Sequence, residues 1–371
     1  MNGYSGMDDR YFCMAPWSHI QQNSYGEINP CCMFYGKDKV YTQKYDSLQE
    51  AFDGSENARL RQRMLNGEYI DSCKKCYRDE DLGKSSYRQR FNERYKIEDK
   101  PAIRELELAL SNKCNFKCVD CNTRFSSSWY DDDILLGRTY YTDIGRTYKS
   151  NFDIDKVDLS QLRELKILGG EPFLEKKYLE VFKSIEKQNV TLFFVTNNSV
   201  FPSDEWIEQF SHFKEIRFVI SLDGVYEVAE FVRYGKRFDK FERNFAKWIE
   251  LSKTKLTNMK VIPHYVFHFY NSLNLNETLE WLKKYFDSDR VLSYDFLESP
   301  TEISVKILPN DIKEYIIKEN KNFLQDQIKK FLYLSDYDKF YVNKLKTYNK
   351  FLNLRSEIPD QCKSLLERIK C

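Results

Sequence analysis

The sequence predicts an α/β protein: a partial (β/α)6 barrel of the TIM type over residues 101–305, a small cysteine-rich module over 1–100, and a helical extension over 306–371. Three observations predict this. Short apolar runs alternate with helical periodicity from about residue 103. Eight of the ten cysteines fall before residue 122, in groups. The tail is rich in Lys, Tyr, Phe and Leu at helical spacing. With 371 residues, 42 % of them apolar, the chain can bury a large domain plus smaller modules.

In chain order, the first hundred residues are turn-rich and carry a helical pair from Ser47 to Leu65. The strand candidates follow as Ile103–Leu110, Leu162–Leu168, Val190–Val195, Ile216–Ser221, Met259–His268 and Val291–Leu297. Between them, Lys177–Lys187, Ser203–Phe213, Phe238–Ser252 and Leu275–Phe286 place apolar residues at helical spacing. In a parallel barrel, functional loops gather at the carboxyl ends of the strands. The three-cysteine run 114–121, Gly169-Gly170-Glu171-Pro172, Thr196-Asn197-Asn198-Ser199 and Ser221-Leu222-Asp223-Gly224 follow the first four strands in turn.

Fifty-eight basic residues balance fifty-seven acidic ones, which leaves no broad electrostatic footprint for nucleic acid or an anionic membrane. The amino terminus lacks a basic region followed by an apolar one, and no eighteen apolar residues run together. The expectation is a soluble, cytoplasmic protein with no nucleic-acid or membrane partner. In that compartment, grouped cysteines bind metal or do redox chemistry more often than they form disulfides.

Cys114, Cys118 and Cys121 put three thiolates within eight residues of a loop. That set holds three irons of a [4Fe–4S] cube and leaves the fourth open, whereas structural zinc generally takes four ligands. Cx3Cx2C after the first strand and GGEP after the second resemble the radical S-adenosylmethionine (SAM) superfamily over roughly residues 103–300. The resemblance implies an enzyme whose open iron chelates the amino and carboxylate groups of SAM. Reductive cleavage then yields methionine and a 5′-deoxyadenosyl radical that abstracts hydrogen from a substrate.

By the same resemblance, the SAM amino group donates to carbonyls of Gly169 or Gly170 and to Glu171, in the motif that Pro172 ends. Asn197 or Asn198 lies near the sugar or methionyl part, Ser221 and Asp223 near the ribose and carboxylate, and Arg233 pairs with the SAM carboxylate, which suits an arginine fork. Asn271 resembles a similarly placed asparagine. Loop capping is the plain alternative for the polar strand ends. One position departs from the pattern: Asp120 stands before the third cysteine, near the adenine, where the superfamily usually has an apolar residue. Ser126-Ser127-Ser128-Trp129 resembles a stretch just past the cluster loop in the twitch group, with capping of the next helix as the alternative.

Cys13, Cys31, Cys73 and Cys76 can close a tetrahedral site for zinc or an iron–sulfur cluster, and spacing alone does not choose between them. The pattern Cx12Gx4C, a helical segment and CxxC resembles SPASM and twitch modules, and implies a second, auxiliary [4Fe–4S] cluster on those four. The Gly26 spacing favours Cys31 over its neighbour Cys32. Cys362 and Cys371 fit no pattern and read as buried or tail thiols. His19, His212, His264 and His268 are dispersed and read as polar core or substrate-pocket residues. The substrate expected from relatives with such modules is a peptide or protein, with a sugar or small metabolite as the alternative and a zinc-stabilised, non-catalytic binding protein as the reading from another class. A reductant such as flavodoxin or ferredoxin would supply the electron.

Overall fold

The structure, a computed structural model, describes residues 10–34, 45–81, 83–97, 100–288, 291–334 and 337–369. Its named strands are β1 (His19–Gln22), β2 (Ile28–Asn29), β3 (Glu105–Leu108), β4 (Lys117–Cys118), β5 (Glu164–Ile167), β6 (Thr191–Thr196), β7 (Glu215–Ser221), β8 (Arg233–Tyr234), β9 (Met259–Phe267) and β10 (Ser293–Phe296). The fold is mixed α/β on mostly parallel strands. All six strand candidates contain a strand, each shortened or shifted by a few residues at most. The chain divides into two compact units: Met1–Lys113, Thr147–Phe194 and Asp204–Ile216 form one, and Cys114–Arg146, Val195–Ser203 and Arg217–Cys371 the other.

In the first unit the strands run β2-β1-β3-β5-β6, antiparallel only between β1 and β2. Ile20, Leu106, Leu165 and Leu192 stand in one register row, and Leu108, Ile167 and Phe194 in another, all buried. Helices Lys177–Lys183 and Asp204–Ser211 cover this face, with Trp206 and Phe210 edge-on to Phe194 at 6.1 and 5.3 Å between centroids. The intervening row, on the opposite face by strand alternation, is Gln21, Glu107, Lys166 and Phe193. Lys166 Nζ donates to Glu107 at 2.9 Å and Gln21 Nε2 also donates to that carboxylate. Filled barrels carry branched apolar layers on their inner face; in this row only Phe193 is apolar.

Residues 1–100 do not stand apart from this sheet, because β1 pairs in parallel with β3 along its whole length. A four-residue strand reading His-Ile-Gln-Gln has one apolar side chain and therefore no period-2 signal. Gly26, at φ +89°, turns the β1–β2 hairpin; the ring of Tyr148 lies 2.7 Å from where a Cβ would sit. Helices Leu48–Asp53 and Ser55–Leu65 form the expected helical pair.

In the second unit β9 and β10 are parallel neighbours, β7 lies beside β9, and β4 pairs with β8 as a short antiparallel ribbon. Helix Phe238–Thr254 buries Phe241, Phe245 and Trp248, with Trp248 4.3 Å from Phe218 of β7. The expected tail helices are Asn310–Glu319, Gln325–Leu332, Lys339–Asn353 and Asp360–Arg368. Cys362 is buried and its thiol donates to Tyr270 O at 2.9 Å; Cys371 lies outside the described residues. Among the described residues, no helix is long and apolar enough to cross a membrane.

Candidate metal centres

The loop 114–121 is held by backbone bonds on several sides, as a short irregular segment must be if its side chains are to keep fixed directions. The β4–β8 ribbon sets Cys118 opposite Arg233, and Val119 N–H donates to Val232 O at 2.8 Å. Gly235, at φ +103°, admits this approach, since a Cβ there would lie 2.9 Å from Asn115 O. The run 126–129 laces the other side. Ser126 Oγ donates to Phe116 O (2.6 Å), Ser127 Oγ accepts from Cys114 N–H (3.3 Å), Ser128 Oγ donates to Cys114 O (2.7 Å) and Trp129 Nε1 donates to Cys118 O (3.0 Å). None of these side chains caps the helical turns that follow; they bind the cysteine loop instead.

Burial pushes the Cys118 thiol up to about 12, against the pull of Arg233, and raises Cys121 as well, with Cys118, Asp120 and Cys114 adding to the effect. Cys121 thus feels both of the other thiols, and Cys118 feels Cys114. A bound metal centre replaces the thiol protons, so the donor set fits one chemically.

Arg233 Nη2 donates to Asp223 Oδ2 at 2.5 Å and Nη1 to Cys118 Sγ at 3.5 Å, while its Nε is buried with no acceptor among the described residues. Burial opposes ionisation of Asp223, but Arg233 and the Val266 N–H, 2.7 Å from Oδ1, hold its carboxyl below the usual range. Asp120 shares the same arginine; burial and the Asp223 charge push it up to about 6. Lys236, which sequence reasoning missed, is buried beside them. Its Nζ donates to Leu222 O at 3.0 Å and lies 3.6 Å from the Phe241 ring centre, and burial together with Arg233 drives its pKa well below that of a free lysine. A lone lysine in a glycine turn carries no pattern that would have singled it out.

The two asparagines after β6 diverge. Asn197 Nδ2 donates to Asn115 Oδ1 at 3.1 Å and comes within 3.6 Å of Cys114 Sγ. Asn198, at φ +60°, turns into the core and donates to Phe241 O at 3.0 Å, so the structure brings only the first to the cysteine loop. Ser221 is half-buried at the end of β7. Asn271 is fully buried and donates to Val266 O (2.8 Å) and Asp223 O (3.3 Å), bracing the Asp223 turn from behind. His268 is buried, accepts from Tyr270 N–H at 3.2 Å, and has a pKa lowered to about 4 by burial.

In the other unit, Gly169 (φ +121°) and Gly170 pack on the backbone just before Cys114. A Cβ on Gly170 would meet Lys113 O at 2.2 Å, so no other residue fits there unshifted. Gly170 N–H donates to Ser111 O (3.2 Å) and Glu171 N–H to Lys113 O (2.8 Å). The Glu171 carboxylate is buried and accepts from Phe173 N–H, with Pro172 opening the turn between them.

Also in that unit, Cys13, Cys31, Cys73 and Cys76 line one pocket with Met33, Tyr87, Arg88 and Phe91. Phe12, Met14, Trp17, Leu60, Met64 and Ile70 pack behind it. Burial raises the Cys31 thiol most, followed by the charges of Cys32, Cys73, Cys13 and Cys76, so Cys31 stands among the other three pocket cysteines. Cys32 does not line the pocket. It is pushed up to about 12 by burial and by Glu107, to which its thiol donates, with Lys166 opposing. Among the described residues, no group of three or more His, Cys, Asp or Glu side chains has the spacing of a single-ion site.

Residues 108–282 match the family model of the radical SAM superfamily. The match covers just under half of the chain. The matched segment spans Cys114, Cys118, Cys121, GGEP, Asn197, Asp223 and Arg233 and begins after the amino-terminal cysteines. Two curated relatives, both called probable GTP 3′,8-cyclase, come from Methanocaldococcus jannaschii (25 % identical over 237 residues, 61 % of this chain and 72 % of the relative) and Methanococcus maripaludis (24 % over 156 residues, 42 % and 48 %). The chain thus spans about half the length of the second relative. Among solved structures, anSMEcpe with bound AdoMet and Cp18Cys peptide aligns with a TM-score of 0.39 at 18 % identity, over 64 % of this chain and 63 % of that one. Streptococcus suis SuiB bound to S-adenosylmethionine aligns at 0.37 and 15 %, over 73 % and 58 %. The name that both curated relatives carry is that of an enzyme.

Proposed function

We propose that the protein is a radical SAM enzyme with its SAM-cleaving [4Fe–4S] cluster on Cys114, Cys118 and Cys121 and an auxiliary cluster on Cys13, Cys31, Cys73 and Cys76. The observation that carries the reading is the braced three-cysteine loop, inside the segment that matches the radical SAM model, with Arg233 seated opposite its central thiol. Bound to three thiolates, such a cluster supplies an open iron for the amino and carboxylate groups of SAM and the electron that cleaves it to a 5′-deoxyadenosyl radical.

The chain's own residues then have defined tasks. Asp223 holds the Arg233 guanidinium in place, and Nη1, on the Cys118 side, presents a donor to the SAM carboxylate. Asn197 lies against the methionyl side, and Asp120 offers a carboxylate acceptor near the adenine. Gly169 and Gly170 offer carbonyls to the SAM amino group. Glu171, already engaged by its own turn, serves to shape that backbone. Asn198 supports the β6 end from the core. In the auxiliary site Cys31 is the ligand and Cys32 is not, because only Cys31 lines the pocket.

The substrate is a peptide or protein in the first reading, with electrons from a flavodoxin- or ferredoxin-like donor. The second reading, a small metabolite of nucleotide type, is favoured by the name of the curated relatives. The test is anaerobic reconstitution with iron and sulfide, then SAM and dithionite, scored for 5′-deoxyadenosine. Product that vanishes in Cys118→Ala supports the reading; a colourless, zinc-loaded protein giving no product overturns it. Deuterium transfer into 5′-deoxyadenosine from labelled peptide or labelled nucleotide separates the two substrate classes.

A further inference from the structure

The bonds that brace the cysteine loop come from three distances in sequence. Those from 126–129 arise nearby, and those from residues 232–235 lie more than a hundred residues on. The rest come from the last helices of the chain. Tyr348, on helix Lys339–Asn353, donates its hydroxyl to Val119 O at 2.8 Å while buried at 6 % exposure. Arg355, just past that helix, places its guanidinium 4.0 Å from the Trp129 ring centre and 4.5 Å from that of Phe351, and donates through Nη2 to Asp132 at 2.6 Å. Lys117, in the loop itself, pairs with the same Asp132 oxygen at 2.7 Å.

Arg355 is an expensive way to fill space. It is almost wholly buried, burial lowers its pKa, and its Nε and Nη1 have no acceptor among the described residues; they sit among the aromatic rings. A leucine or methionine would pack there without that desolvation cost. The guanidinium does what an apolar side chain cannot. It stacks on the indole whose Nε1–H holds Cys118 O and ties Asp132, and through it Lys117, to the same spot. Arg138, 4.7 Å from the same indole and paired with Asp133, repeats the arrangement from within the loop region.

We propose that Tyr348 and Arg355 are positioning residues for the SAM-cluster loop, so that the carboxyl-terminal extension acts as a clasp that keeps Cys118 and Val119 in a ligand-presenting backbone conformation. The inference rests on the assignment of a cluster to Cys114, Cys118 and Cys121. It assigns a task to a part of the chain outside the radical SAM match, which ends at residue 282.

The experiment compares the full-length, reconstituted wild type with Tyr348→Phe, which removes one hydroxyl and keeps the ring, and with Arg355→Met and Arg355→Lys. The readouts are the rate of iron loss to a chelator and the change that SAM causes in the electron paramagnetic resonance spectrum of the reduced protein; only a cluster with an open iron responds to SAM. The loss of one such hydrogen bond predicts iron release about three- to tenfold faster in Tyr348→Phe, with a broadened SAM-responsive signal. The same is expected in Arg355→Met, with partial recovery in Arg355→Lys. If Tyr348→Phe and Arg355→Met release iron at the wild-type rate with an unchanged SAM-responsive signal, the helix merely packs and the proposal fails, whatever happens to melting temperature. If the wild type itself shows no SAM-responsive signal, the cluster assignment fails and the clasp with it.

Discussion

The two cysteine sites are built on opposite plans. In the loop site three thiols come from eight consecutive residues, so local sequence brings them near one another and tertiary contacts need only stiffen the backbone between them. In the amino-terminal site four thiols come from three segments spread over residues 13–76, and nothing local relates them. There the work of assembly falls to packing: Trp17, Leu60, Met64, Ile70 and Phe91 bring the segments together. A ligand set that is close in sequence is stabilised by hydrogen bonds to its backbone, whereas one distant in sequence depends on an apolar core, because the entropy of closing long loops must be offset by buried area.

The largest expected effect breaks the loop site alone. Cys118→Ala should reduce 5′-deoxyadenosine formation to background in a dithionite assay while leaving the auxiliary pocket intact, so iron falls from about eight to about four per chain. The converse variant, Cys76→Ala, should give the same halving of iron but retain SAM cleavage. Cys31→Ala should match Cys76→Ala, and Cys32→Ala should keep the full iron content; the reverse result would exchange the two neighbours as ligand.

A smaller effect sharpens the contrast in assembly. Phe91→Ala, in the buried wall of the amino-terminal pocket, should lose about 3–5 kcal/mol in denaturant unfolding. Auxiliary iron should be lost with it, and iron of the loop site retained.

The smallest effect is read by pH. His268 is neutral in the folded protein because burial lowers its pKa to about 4, below the ordinary 6.5. The unfolded chain binds this proton more readily, so the stability it contributes is present above pH 6.5 and is lost as pH falls toward 4. The full loss is roughly 3 kcal/mol. His268→Gln should flatten that part of the stability curve in acid titrations, and an unchanged slope would show that other groups set it.

Much of this was legible in advance, for identifiable reasons. The runs Leu162–Leu168 and Met259–His268 are apolar and bounded by turns, so the strands at Glu164–Ile167 and Met259–Phe267 were readable from pattern. Strand β1 was not, because Gln21 and Gln22 occupy both faces and its parallel partner β3 lies more than eighty residues on. The serines of 126–128 could be noticed as a run, but their targets in the cysteine loop are set by a fold-back that no periodicity encodes.

By itself, the sequence determined the alternation of strands and helices, the three thiols of the loop, and the glycines at 169 and 170 that admit a backbone approach. These are properties of side-chain type and near-neighbour spacing. Only the tertiary structure decided that Asn197 faces the cysteines while Asn198 faces the core, that Cys31 and not Cys32 joins the pocket, and that Tyr348 reaches back 229 residues to Val119. Adjacent residues on an extended backbone point in opposite directions, and long-range bonds depend on where whole elements come to rest. A one-dimensional pattern carries neither.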